Sequence, residues 1–343
     1  MKLIRTEDAV GHVLCHDMTQ IIRGVTKDAV FRKGHVVREE DIPVLLSIGK
    51  EHLYVWEKDE TMMHEDEAAQ VLYEISAGPD MHASSVKEGK IELIADEDGL
   101  LKIDRELMRS VNSIGRMMIA SRHGNTPVRA GDKLAGTRII PLVIEKDVME
   151  QVKVLAGGRK IFHILPYKLR TAGIIATGSE IQKGRIRDEF TPVVVDKLAE
   201  YGINTLQTVM PGDDSDVITE HILKMADAGY DLIVCTGGMS VDPDDRTPLA
   251  IKNAGTEIIS YGAPVLPGAM FLLSYLHRNG RKIPVLGLPG CVMYAKRTIF
   301  DLMLPRIAAE DTITAEEISA LGEGGLCLGC PVCTWPNCGF GKA

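Results

Sequence analysis

Three short stretches in the second half of the chain combine glycine with hydroxyl and carboxylate side chains. They are Thr177-Gly178-Ser179-Glu180, then Thr236-Gly237-Gly238-Met239-Ser240 leading into Asp242-Pro243-Asp244-Asp245-Arg246-Thr247-Pro248, and finally Leu288-Pro289-Gly290. Glycine admits left-handed backbone and close approach, so N–H groups in such loops can converge on a phosphate. The Thr and Ser hydroxyls add donors, and Asp244 and Asp245 can hold Mg²⁺ or the amino groups of a heterocycle. Read singly, each stretch is an ordinary turn, and an Asp ahead of Thr-Pro simply caps a helix. Three of them on one edge of one sheet point to a site for a phosphate-bearing small molecule.

A second constellation closes the chain. Cys327, Cys330, Cys333 and Cys338 place four thiols within twelve positions. Four cysteines are the donor set of a tetrahedral Zn²⁺ and of an iron–sulfur cluster alike. The Cys-x-x-Cys-x-x-Cys run is similar to bacterial ferredoxin spacing, with a fourth interval one residue longer. A thiol-rich tail that holds nothing is the plain alternative, and Zn versus iron–sulfur stays open at this level. Gly322, Gly324 and Gly325 just ahead of the run predict a hinged appendage. Cys15, Cys235 and Cys291 are scattered, which argues for a reduced compartment rather than a disulfide framework. His12, His16 and His35 read as structural or surface residues. Ser240 has neither a nucleophile elbow nor a neighbouring His to make it a nucleophile.

The elements that must carry the three loops are legible as apolar runs between amphipathic segments. Strands are expected at Ala172–Ala176, Thr205–Val209, Asp231–Cys235, Glu257–Ser260 and Ile283–Leu288, with helices at about Phe190–Tyr201, Ser215–Ala228, from Arg246, and ending near Ala309. Strands apolar on both faces imply a mostly parallel sheet with helices on both sides, a three-layer α/β/α domain. Ahead of it, Phe31–Val37 and Leu53–Trp56 read as strands and Asp41–Gly49 as a short helix, with Asp41 as its N-cap. Thr61–Ser76 and Asp104–Ile114 read as helices. Ile91–Ile94 and Leu100–Ile103 read as strands around an Asp-Glu-Asp-Gly turn, and Val128–Leu134 as a strand with a Gly turn. The expected organisation is a small β-rich domain over 1–58, a mixed α+β domain over 59–166, the α/β domain over 167–312 and a Cys-rich tail over 313–343.

Bulk properties narrow the partners. The 343 residues are 45% hydrophobic and 25% charged, with a formal net charge of −9 and only 5% aromatics. No Lys/Arg stripe is present, so nucleic acid is not an expected partner. No apolar run approaches a membrane span and the N-terminus lacks a signal-peptide core, so no membrane association and a cytoplasmic location are expected.

The third segment resembles the molybdopterin-binding domain shared by molybdopterin adenylyltransferases, molybdopterin molybdenumtransferases and gephyrin. Thr177-Gly178-x-Glu180, Asp213-Asp214 before a helix, Thr236-Gly237-Gly238, Asp245-x-Thr247-Pro248 and Leu288-Pro289-Gly290 keep that family's order over about Ile174 to Ala309. The resemblance implies molybdopterin or its AMP derivative as ligand, with Mg²⁺, cradled by Thr177, Gly178, Ser179, Glu180, Thr236, Gly237, Gly238, Ser240, Thr247, Pro289 and Gly290. It implies Asp213 and Asp245 as catalytic acids and Asp244 and Asp245 as metal-linked ones. It also implies a homo-oligomer, dimer or trimer, and a molybdoenzyme or another cofactor-biosynthesis protein as partner. The first half is similar to the molybdenumtransferase more loosely, through Phe31-Arg32-Lys33-Gly34 with Asp41 to Gly49.

Departures from that pattern bear on the reaction. Leu266-Pro267-Gly268-Ala269-Met270 stands where the molybdenumtransferase has Lys-Pro-Gly-Lys-Pro, so both cations a molybdate step would use are absent. The family's Ser-Ala-Met-Asp-Gly-Tyr-Ala-Val stretch is missing. Ser179, Phe190 and Cys291 replace the usual Asp, Asn and Asn. The expected function is therefore molybdopterin binding in cofactor biosynthesis, maturation or delivery, without standard molybdate insertion; any enzymatic activity would be that of a molybdenumtransferase- or adenylyltransferase-like transferase. Two rivals remain: a non-catalytic carrier or sensor, and a nucleotide pyrophosphatase. The latter follows from the likeness of Pro243-x-Asp245-x-Thr247 and its neighbours to competence/damage-inducible proteins.

Overall fold

A computed structural model describes residues 2–55, 59–178, 182, 185, 187–240, 242 and 245–342. The chain divides into two compact units, Met1–Asp96 with Ile103–Arg122 and Gly131–His163, and Glu97–Lys102 with His123–Ala130 and Ile164–Ala343.

The first unit is strand-rich. Lys2–Arg5 pairs antiparallel with His52–Val55, and Met18–Ile22 pairs with Thr26–Phe31. Ala9, Leu14, Met18, Val37, Leu45 and Leu53 form the small core between them. The run expected as one strand over Phe31–Val37 is broken. Phe31 ends its strand, and Gly34 turns the chain with φ +86°. Asp41 holds the N-cap position of helix Ile42–Ser47, as expected, but its side chain makes no capping bond to that helix. Its carboxylate instead accepts the Arg38 N–H at 2.9 Å and lies 2.6 Å from His35 Nε2, closing a short 3-10 turn. Trp56, expected at the end of a strand, lies outside the described residues. Met81–Ala83, Lys90–Ala95, Lys133–Ile139 and Met117–Ser121 form a four-stranded antiparallel sheet in that order. Lys90–Ala95 does not pair with Gly99–Ile103 across the Asp-Glu-Asp-Gly turn, because each finds other partners.

The second unit is built on six strands: β1 Thr171–Ala176, β2 Asn204–Val209, β3 Leu232–Thr236, β4 Glu257–Tyr261, β5 Leu272–Arg278 and β6 Arg281–Leu288. Their order is β2-β1-β3-β6-β5-β4. The four strands β2, β1, β3 and β6 run parallel, while β5 is antiparallel to both neighbours. β5 escaped the sequence analysis although its signal was present. Asn279-Gly280, both with positive φ, form the two-residue turn that a β5–β6 hairpin needs.

Successive residues of each strand face opposite layers. Ile174, Val234, Leu273 and Leu286 pack with Val194 and Leu198 of α1 (Phe190–Ala199) and with Phe300 and Met303 of α4 (Ile299–Ala308). Ile175, Ile233, Leu272 and Val285 pack with Ile218 and Ile222 of α2 (Ser215–Asp227) and Ile251 of α3 (Thr247–Asn253). Each such side chain removed from water contributes about 1.5–3 kcal/mol, which is what keeps the strand ends in register. Asp231 fastens the opposite end of the sheet. Its Oδ2 accepts the N–H groups of Arg170 and Thr171 at 3.0 Å each and the Thr171 hydroxyl at 2.8 Å, while Arg281 binds Oδ1 at 2.5 Å.

Candidate functional site

The carboxyl ends of β1, β3 and β6 lie side by side, since β3 is hydrogen-bonded to both others. Thr177 N–H and Oγ1 both lie within donating reach of Thr236 O, at 2.8 and 3.1 Å. Thr247, the first residue of α3, places its Oγ1 2.9 Å from Gly237 O and 3.2 Å from Thr177 Oγ1. Thr177, Thr236 and Thr247 are only 3, 2 and 1% exposed. The Thr177 and Thr247 hydroxyls thus brace the loops against each other.

Two glycines make that bracing possible. Gly237 has φ +81° and a Cβ there would lie 2.5 Å from Thr177 O; Gly238 has φ +57° and a Cβ there would lie 2.8 Å from Thr247 Oγ1. Met239 is pinned over Gly287 of β6, where any side chain would strike its sulfur. The rim above this scaffold is open. Ser240 and Gly290 are exposed, Gly178 is half-buried with φ +132°, and no atom of the described residues lies within 4 Å of the Cβ position of Gly290. Pro289 is buried beneath it.

The acids are distributed around this edge. Asp213 follows β2 and is half-buried, with an interaction partner of its own. Its neighbour Asp214 is committed to capping α2, accepting Asp216 N–H at 2.8 Å and Val217 N–H at 3.3 Å. Gln182 Nε2 donates to Pro211 O at 3.1 Å, tying the segment after β1 to the loop after β2. Asp245 is half-buried just ahead of α3. Burial, and next the charge of Asp245, push the Tyr261 phenol up, while Tyr261 donates to Met239 O at 3.2 Å. Ser179, Glu180 and Asp244 lie outside the described residues.

Two residues here were missed by sequence reasoning. Asp188 Oδ1 accepts the Phe190 and Thr191 N–H groups at 2.9 and 3.0 Å, while Oδ2 is buried with no hydrogen-bond partner among the described residues. Its position two residues before an apolar helix was the available signal. Tyr261 had none, because only the sheet order carries β4 toward the loop after β3.

The four tail cysteines share one place. Cys327, Cys330, Cys333 and Cys338 all line a cavity of about 450 Å³, with Lys296, Arg297 and Trp335 on its walls. The tail is not the hinged appendage expected from its glycines. Cys327 N–H donates to Leu266 O and Leu266 N–H to Gly325 O, both at 2.8 Å, and Phe340 is buried in the sheet's core. Gly341 N–H donates to Gly324 O at 2.9 Å, and a Cβ on Gly324 would lie 2.6 Å from Lys342 O, so the glycines close a loop. Arg297 stacks over the Trp335 ring at 4.6 Å and donates to Asp301 Oδ1 at 2.8 Å. Burial works against the charged Arg297, but the hydrogen bonds and charges of Asp301 and Glu200 together outweigh it and hold the guanidinium above its ordinary value. Lys197 reaches the same Asp301 oxygen at 2.5 Å. Among the described residues, no three His, Cys, Asp or Glu side chains are grouped so as to hold a metal ion.

The first unit has a polar cavity of about 290 Å³ whose lining includes His16, Asp17, Lys33, Glu65 and Asp66. Burial, and next Asp66, raise the Glu65 carboxyl; burial, then Lys50 and His64, lower the His16 imidazole. No described helix is long and apolar enough to cross a membrane.

Comparison with known proteins gives the second unit a relationship. Residues 3–57 match a domain family of unknown function, and residues 173–309 match the family described as "Probable molybdopterin binding domain". A CinA-like protein of Mycobacterium leprae (strain TN) is 42% identical over 76 residues, 22% of this chain and 18% of that protein. A CinA-like protein of Mycobacterium avium (strain 104) is 35% identical over 89 residues, 26% of this chain and 20% of its own. The chain thus spans about a fifth of the length of these curated relatives. Among solved structures, the tungsten cofactor synthesizing protein MoaB of Pyrococcus furiosus aligns with TM-score 0.32 and 18% identity, over 42% of this chain and 89% of that one. The protein CinA of Thermoplasma acidophilum aligns with TM-score 0.32 and 19% identity, over 40% and 98%. The loops at the ends of β1, β3 and β6 all fall inside residues 173–309, the segment that matches the molybdopterin-binding domain family.

Proposed function

We propose that the second unit binds molybdopterin or its AMP derivative at the ends of β1, β3 and β6, acting in synthesis, maturation or delivery of the molybdenum cofactor. The observation that carries this reading is the brace of Thr177, Thr236 and Thr247 around Gly237 and Gly238, which sets a rigid base beneath the exposed backbone of Ser240 and Gly290. Such a base lets N–H groups meet a terminal phosphate without reorganisation, and preorganisation lowers the cost of binding. Asp188 Oδ2, buried without a partner among the described residues, would accept a hydrogen bond from the guest. In this reading Asp213 and Asp245 carry Mg²⁺ beside the phosphates, with Asp244 as a further ligand. A metal-held pyrophosphate needs charge stabilisation more than a covalent nucleophile.

The test is calorimetric titration of the full chain with molybdopterin and with molybdopterin-AMP, with and without Mg²⁺. Binding that is lost in Gly237→Val supports the reading, and no heat with either ligand ends it. A second reading, nucleotide pyrophosphatase, draws on the CinA-like sequence matches. Mg²⁺-dependent hydrolysis of ADP-ribose without pterin binding would favour it.

A further inference from the structure

We propose that Cys327, Cys330, Cys333 and Cys338 ligate a cuboidal iron–sulfur cluster in the cavity that they line. Four separate observations lead there. The first is convergence: all four thiols of one short segment border a single cavity of about 450 Å³. The second is spacing. A tetrahedral Zn²⁺ at about 2.3 Å from each sulfur would draw its thiolates to within about 3.8 Å of one another. Here the cysteines border a cavity and are not grouped to hold one ion. A cluster interposes iron and sulfide between its donors and so does not require thiolates grouped around one ion, and Cys-x-x-Cys-x-x-Cys is a run that clusters use.

The third observation is charge. Four thiolates leave the site anionic, and Lys296 and Arg297 both border it. Arg297 is held in place by Asp301 and by the Trp335 ring, and Lys296 Nζ donates to Pro331 O at 2.9 Å, inside the cysteine segment. Cations beside a cluster favour its reduced, more negative state. The fourth is anchorage. The loop closes on Gly324 and Gly341 and is fastened through Leu266 and Phe340, so its cysteines stand on the sheet domain rather than on a free tail. Leu326, Leu328 and Phe340 add apolar side chains to the cavity lining, of which Phe340 is buried.

Loading is written as ligand exchange from a preformed cluster carried by small thiolates. Four Fe–Sγ bonds replace four Fe–thiolate bonds. Each departing thiolate takes the proton of one cysteine, and neither iron nor sulfide changes oxidation state. The inference stands apart from pterin binding, since none of its residues belongs to the strand-end loops.

The experiment uses the full chain, freed of metal and handled without oxygen, with a synthetic four-iron thiolate complex or Zn²⁺ alone as probes. The expected result is matched amounts of iron and inorganic sulfide in the re-purified protein, visible thiolate-to-iron absorption that bleaches with dithionite, and an electron paramagnetic resonance signal on reduction. Cys330→Ser and Cys333→Ser alter exposed residues, so each should keep its circular dichroism and lose most of the iron. Cys291→Ser, outside the quartet, should keep it. Zn²⁺ retained in place of the cluster, no iron retained, or iron kept equally by Cys330→Ser and Cys333→Ser would overturn the assignment.

Discussion

The strand-end edge and the cysteine cavity are both ligand-sized features of one unit, yet they are held in opposite ways. At the strand ends, ladder hydrogen bonds of a parallel sheet set the backbone, and buried threonines finish the work. At the cavity, an irregular loop is fastened at its ends, while Cys330 and Cys333 between them remain exposed. A site made of backbone on a sheet is complete before a ligand arrives. A site made of side chains on a loop depends on its ligand for its final geometry, and its occupancy should change its stability far more.

The largest expected effect strikes the residue that supports the cavity wall. Asp301→Ala strips the carboxylate partner from buried Lys197, leaves Arg297 only its longer contact to Glu200, and removes the capping bonds to Thr298. A loss of about 3–5 kcal/mol is expected, read from urea unfolding. Asp231→Ala comes next, at about 2–3 kcal/mol, because it unpairs Arg170, Thr171 and Arg281 at the far end of the sheet.

Asp231 also carries a pH signature. Burial alone would raise its carboxyl, but the bonds from Arg170 and Thr171 outweigh it and hold the carboxyl below the usual range. A depressed folded pKa means the stabilisation is present above the unfolded value of about 3.9 and is lost as pH falls through the lower folded one. Acid unfolding below about pH 4 should therefore be less steep in Asp231→Ala than in the parent chain.

Gly237→Ala tests the strand-end scaffold itself. A Cβ at φ +81°, 2.5 Å from Thr177 O, should cost about 1–3 kcal/mol and weaken any ligand that uses that loop. Circular dichroism melts with parallel titrations separate the two consequences. The smallest effect is chemical rather than thermodynamic. In the metal-free chain, iodoacetamide should label exposed Cys330 and Cys333 first, and leave Cys235, whose thiol burial pushes up to about 12, unmodified until unfolding. Mass spectrometry of the digested protein gives the order, and loading the cluster should remove the fast phase.

Much of the strand-end site could be read in advance, for local reasons. Apolar runs marked β1, β2, β3 and β6, and the turn chemistry after them marked the loops. What the reading mistook was the role of particular side chains. Thr177 and Thr247 carry donors, as any Thr does, but those donors are used inside the protein because β3 and α3 stand where they stand. Asp41 sits at the N-cap position the sequence marked, but its carboxylate is taken by His35 and the Arg38 N–H rather than by the helix it precedes. The glycines before the tail read as hinges, since a missing side chain means freedom when nothing is nearby. Beside Lys342 O, for Gly324, and Pro264 O, for Gly325, it means a close fit instead.

By itself, then, the sequence determined which segments are strands or helices, where the chain turns, and that four thiols stand together. Those properties rest on apolar period and local backbone preference, which act within a few residues. Only the tertiary structure decided that β6 lies between β3 and β5, that Tyr261 reaches the loop after β3, and that Lys296 and Arg297 border the cysteines. Each of these is a meeting of residues remote along the chain, chosen by the order of strands in the sheet and by which surfaces bury one another.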